Sequence, residues 1–65
     1  MVPIYQKYQD IRNARDLNDH QVAVATGLNP SLFYDWKAGR YAPKLDKISK
    51  LAAFFEVKLE DLLGE

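Results

Sequence analysis

NDHQVAVATGLNPSLFYDWKAG, residues 18–39, decides how the chain folds. Asn18 suits the N-cap of a helix, where a short polar side chain accepts from free backbone N–H groups. Val22, Ala23 and Thr26 then form the inward side of a short helix, and Gly27 stands where a helix ends in a left-handed residue. Asn29 followed by Pro30 is a second start, a cap and then a residue whose φ is already helical. This second helix runs to about Ala38 and stops at Gly39. Val22, Leu28, Phe33 and Trp36 are expected to face one shared interior, with Ala23 at the close crossing of the two helices and Gly27 making the turn. Phe33 and Trp36, three apart on one side, supply much of the apolar area that a small domain needs. Pro30, Ser31, Tyr34 and Asp35 are left on the outer side, with Leu32 at the flank.

Outward from this stretch the pattern stays helical. Pro3 fits the first turn of a helix in which Ile4, Tyr8, Ile11 and Ala14 recur on one face. Residues 40–43, RYAP, read as a loop. Leu45, Ile48, Leu51, Ala52 and Phe55 mark a fourth helix, and after Val57 the residues Leu59, Leu62 and Leu63 recur at i, i+3 and i+4. No useful length alternates with period two. The expectation is an all-α domain of five short helices spanning residues 1–65.

Sixty-five residues without cysteine must rest on compact apolar packing, with self-association as the further aid open to so small a domain. Such a chain buries only about 60% of its unfolded surface, so its margin is thin. Met1–Ile4 leads into Gln6 and Lys7 without the apolar core of a signal peptide, and no apolar run approaches a membrane span. A cytoplasmic location and no membrane contact are expected. His20 is the single histidine, Ser31 has no paired base, and there is no glycine-rich phosphate loop. Neither an enzyme nor a metal or cofactor is expected. Net charge is zero, but residues 37–50 carry Lys37, Arg40, Lys44, Lys47 and Lys50 against Asp46 alone. Residues 51–65 carry Glu56, Glu60, Asp61 and Glu65 against Lys58. A basic edge on a neutral body is one reading of this; a solvated helix face with an acidic tail is the other.

Two short helices across a glycine-bearing turn are the pattern of a helix-turn-helix. The order and spacing of residues 17–64, LNDHQVAVATGLNPSLFYDWKAGRYAPKLDKISKLAAFFEVKLEDLLG, resemble the phage-repressor and Cro-like (XRE-type) helix-turn-helix family of transcriptional regulators. The likeness runs from about Tyr8 to Gly64. It implies a five-helix domain that binds double-stranded operator DNA as a homodimer, with helix three in the major groove.

By the same resemblance, Ser31 and Asp35 occupy base-reading positions, joined by Tyr34 and, through apolar contact only, Pro30. Asp35 can only accept, so its natural partner is a cytosine amino group. Arg40 and Lys44 flank the loop where relatives meet the DNA backbone, and Lys37, Lys47 and Asn29 extend that phosphate track. The start of helix four adds backbone amides. Phe54, Val57, Leu59, Leu62 and Leu63 are the candidate dimer surface; closing the core is their alternative role. Three positions depart from the family: Asp19, Lys37, and Pro30, which replaces a residue that often reads a base and can donate nothing. Relatives commonly carry a phosphate-binding glutamine where Asp19 stands; an aspartate would repel a phosphate, and the dipole of helix two is the role expected for it. Arg12 matches an arginine whose acidic partner in some relatives is replaced here by Lys37, so it needs another carboxylate or stays in solvent. A protein-interaction module keeping the same fold, antitoxin-like or an adaptor, is the alternative function.

Overall fold

The computed structural model describes residues 2–64. Expectations resting on Met1 and Glu65 lie outside the described residues. A strand β1 (Val2–Pro3) leads into α1 (Tyr5–Ala14), α2 (Asp19–Thr26), α3 (Pro30–Lys37) and α4 (Leu45–Phe55); a single 3-10 turn (Leu59–Leu62) and β2 (Leu63–Gly64) follow. β1 and β2 pair antiparallel, Val2 opposite Gly64 and Pro3 opposite Leu63.

The capping signals explain the boundaries of the central pair. The Asn18 side chain accepts from the Gln21 N–H at 2.8 Å, while Gln21 Oε1 accepts from the Asn18 N–H at 2.9 Å, a reciprocal capping box. Gly27 lies at φ 76, and the Leu28 N–H returns to the Ala23 carbonyl at 3.0 Å. All four α-helices close with this same reach-back: Leu17 to Arg12, Leu28 to Ala23, Arg40 to Asp35 and Val57 to Ala52. Glycine supplies the left-handed residue at Gly27 and Gly39, whereas Asp16 and Glu56 adopt it at the other two ends.

Tyr8, Val22, Phe33, Ile48, Leu51, Phe55 and Leu62 are fully buried, so all four helices and the last turn share one core. The Tyr8 ring stacks between Phe33 and Trp36, with centroids 5.2 and 5.3 Å away. Tyr5 meets the Trp36 ring edge-on at 5.4 Å. The Trp36 indole N–H donates to the Pro3 carbonyl at 3.4 Å, tying α3 to β1.

Several expectations are corrected. Pro3 belongs to β1 rather than to the first helical turn, because Ile4 is the N-cap of α1. The expected fifth helix is one 3-10 turn: i, i+3 spacing serves such a turn as well as an α-helix, and Leu63 then extends to meet β1. Ala14 and Leu45 are exposed, Leu45 to 62%, and Leu32 is buried rather than flanking. No helix among the described residues is long and apolar enough to cross a membrane.

Candidate nucleic-acid interface

α3 is built with a sealed side and an open one. Leu32, Phe33 and Trp36 are buried, and Ala23 of α2, 1% exposed, leaves room for the two helices to nest. Val22, Leu28, Phe33 and Trp36 all lie in the core, as their spacing requires. On the opposite side Pro30, Ser31, Tyr34 and Lys37 are exposed and Asp35 is half-buried. The Asn29 carboxamide oxygen caps the helix, accepting from the Ser31 N–H at 3.0 Å and the Ser31 hydroxyl at 2.9 Å. That oxygen is therefore committed within the chain, and only the amide NH₂ of Asn29 can serve a phosphate.

The C-terminus of α3 sets the rest of the face. The Gly39 N–H reaches the Trp36 carbonyl at 3.1 Å and the Arg40 N–H reaches the Asp35 carbonyl at 2.9 Å. Gly39 at φ 80 makes this turn at no steric cost. The chain is thereby folded back, and the Arg40 guanidinium lands on the outer side of α3. Its Nη2 donates to Asp35 Oδ1 at 3.0 Å, and its carbon lies 5.2 Å from the Tyr34 ring centroid. The bond to Asp35 holds the guanidinium pKa above its ordinary value. Lys44, the exposed N-cap of α4, makes no side-chain cap, so the first N–H groups of α4 have no side-chain acceptor there. Lys47 is half-buried one turn later.

A second polar constellation joins α1 to α2. The Asp19 carboxylate accepts from the Tyr5 hydroxyl at 2.8 Å, from the Tyr8 hydroxyl at 2.6 Å and from Arg12 Nη1. Arg12 also donates to the Tyr5 oxygen at 3.2 Å. Asp19 is thus the missing carboxylate for Arg12 and bolts α2 onto α1, a larger role than favouring a helix dipole. Burial alone would raise the Asp19 pKa, but the donors of Tyr8, Tyr5 and Arg12 outweigh it and hold the pKa below the ordinary value. Burial, and then the bond to Asp19, push the Tyr8 phenol well above its ordinary value. Tyr5, Tyr8 and Arg12 at i, i+3 and i+7 set three donors on one side of α1, and that spacing was the available signal.

Of the candidate dimer residues, Leu62 is fully buried and has no surface to offer, because it plugs the core beneath the last turn. Val57, Leu59 and Leu63 are half-buried against the core, and Phe54 is 37% exposed. Pro3, Pro43, Leu45, Ile48, Leu59 and Leu63 line an apolar groove of about 460 Å³. Among the described residues no group of three or more His, Cys, Asp or Glu is placed to hold a metal ion.

A family model described as Helix-turn-helix matches residues 9–62. Among curated proteins, the cryptic phage CTXphi transcriptional repressor RstR of Vibrio cholerae is 34% identical over 59 residues. That alignment takes in 91% of this chain and 53% of the repressor, so the chain spans about half the length of the relative it matches. No solved structure matches the chain.

Proposed function

The chain belongs to the helix-turn-helix family, and from that premise we propose that it is a DNA-binding transcriptional regulator, a cytoplasmic repressor that occupies operator DNA as a homodimer. The observation that carries this reading is the two-sided α3: one side sealed in the core, the other exposed and crowned by an arginine. In this reading α3 enters the major groove, where Ser31, Asp35 and Tyr34 meet base edges and Pro30 offers apolar contact. Arg40, Lys44, Lys37, Lys47 and the Asn29 amide meet phosphates, helped by the uncapped N–H groups that open α4. Asp19 does not count against DNA binding, since Arg12 pairs with its charge and two tyrosine hydroxyls donate to it. Phe54, Val57, Leu59 and Leu63 supply the surface for the second protomer.

Each neutralised phosphate adds about 0.9 to the slope of log affinity against log salt, so a dimer with a few contacts per protomer loses orders of magnitude as salt rises. A gel shift with random-sequence duplex across a salt series tests this. Binding at about 50 mM salt that fades steeply is expected, and Lys44→Ala with Lys47→Ala should flatten the slope across all sequences. The apolar groove beside exposed Leu45 and the zero net charge favour a second reading, a protein-interaction module on the same fold. A folded protein that leaves duplex unshifted at low salt gives that reading the lead.

A further inference from the structure

We propose that Arg40 is a positioning residue of the reading face, whose guanidinium, held over Tyr34, fixes and neutralises Asp35 so that this carboxylate can read a base. The inference rests on the DNA-binding reading and adds a specificity role to a residue otherwise expected to meet only phosphate.

A carboxylate is a poor group to bring between two rows of phosphates. It repels them, and on entering the groove it loses water that a single cytosine amino group does not replace. A cation in fixed contact offsets both costs. Arg40 is so placed: Nη2 is 3.0 Å from Asp35 Oδ1, which leaves Oδ2 as the acceptor for a base. Tyr34 backs the guanidinium from below at 5.2 Å. The backbone prepares the contact, because the Arg40 N–H is already bonded to the Asp35 carbonyl at 2.9 Å through the left-handed Gly39. The same two residues are therefore joined twice, by main chain and by side chain. Of the five guanidinium donors one is committed, and the others can still reach a phosphate. As Asp35 and Arg40 are 43% and 58% exposed, the pair adds little to folding, so changing either leaves a folded protein.

The test is selection from a randomised duplex pool at low salt, followed by sequencing of the retained DNA. Wild type, Asp35→Ala, Arg40→Ala, Arg40→Lys and the Asp35→Ala/Arg40→Ala double variant are compared, with thermal melts confirming their folds. Wild type is expected to enrich cytosine at one position by about tenfold, the range of one good base contact. Asp35→Ala and Arg40→Ala should each erase that enrichment, and the double variant should resemble Asp35→Ala. Arg40→Lys, which keeps the charge but lacks the planar group that lies over Tyr34, should keep most of the affinity while losing the preference. An Arg40→Ala protein that binds more weakly but still enriches the same base marks Arg40 as a phosphate contact alone and overturns the inference. So does a wild type that binds duplex with no enrichment dependent on Asp35. A wild type that retains no duplex at all overturns the DNA-binding reading itself, a separate failure.

Discussion

Two aspartate–arginine pairs in this molecule each lie against a tyrosine ring, and they differ chiefly in burial. Asp19 and Arg12 are 28% and 12% exposed, with the guanidinium 5.7 Å from the Tyr8 ring; Asp35 and Arg40 are 43% and 58% exposed, with the guanidinium 5.2 Å from Tyr34. At the first pair, Asp19 also accepts from two phenols, one of them on a fully buried residue, and joins two helices. At the second, both charged groups stay in water at the end of one helix. The same three side-chain types thus join two helices at one site and lie open to solvent at the other. Burial decides between the two roles, because losing one member of a sheltered set strands the others without water.

The largest expected effect tests the sheltered pair. Asp19→Ala leaves Arg12 and the Tyr8 hydroxyl without their acceptor and should cost roughly 2–3 kcal/mol, somewhat less than a fully buried pair. For so small a domain that is a fall in Tm of about 10 °C or more in a thermal melt. The same site carries a pH signature. Since the folded pKa of Asp19 lies below its ordinary value of 3.8, its contribution is complete above that value and disappears as pH falls through the lower folded value. Wild type should therefore lose stability more steeply in that acid range than Asp19→Asn. Equal acid slopes would mean that the carboxylate charge is not what joins α1 to α2.

A smaller effect is expected at the joint behind the exposed pair. Gly39 sits at φ 80 with open space where a Cβ would go, so Gly39→Ala meets no clash but must hold a left-handed backbone. That should cost about 1–2 kcal/mol, read from urea unfolding. A neutral result would show that the turn relaxes and Arg40 has other ways to reach Asp35. The smallest effect belongs to Asp35→Ala, whose melting curve should overlay wild type. A clear loss of Tm there would collapse the distinction between the two pairs.

What the sequence disclosed and what it hid follow the range of the interactions. Asn18, Gly27, Asn29–Pro30 and Gly39 act on backbone groups a few residues away, so the edges of α2 and α3 were readable from neighbours alone. Val22, Phe33 and Trp36 were readable as core because helical spacing sorts one side from the other. Periodicity does not say what covers a side. Leu45 shares the spacing of Ile48 and Ala52 yet is exposed, whereas Leu32, one step off the inner row of α3, is buried. The Arg12–Asp19 contact depends on how α1 meets α2, and the β1–β2 pairing on the meeting of distant segments, so neither has a local signature. Of the outer side of α3, the exposure of Ser31 and Tyr34 was legible; the hold of Arg40 on Asp35 was not, because it needs the turn at Gly39 in three dimensions.

With Val2 opposite Gly64 and Pro3 opposite Leu63, the first and last of the described residues lie side by side. Closing a gap between segments already side by side removes little freedom, since loop-closure entropy grows only with the logarithm of linker length. A variant of residues 2–64 with Gly64 linked to Val2 and the chain opened in the exposed Tyr41–Ala42 stretch should therefore keep every packed surface with its neighbours.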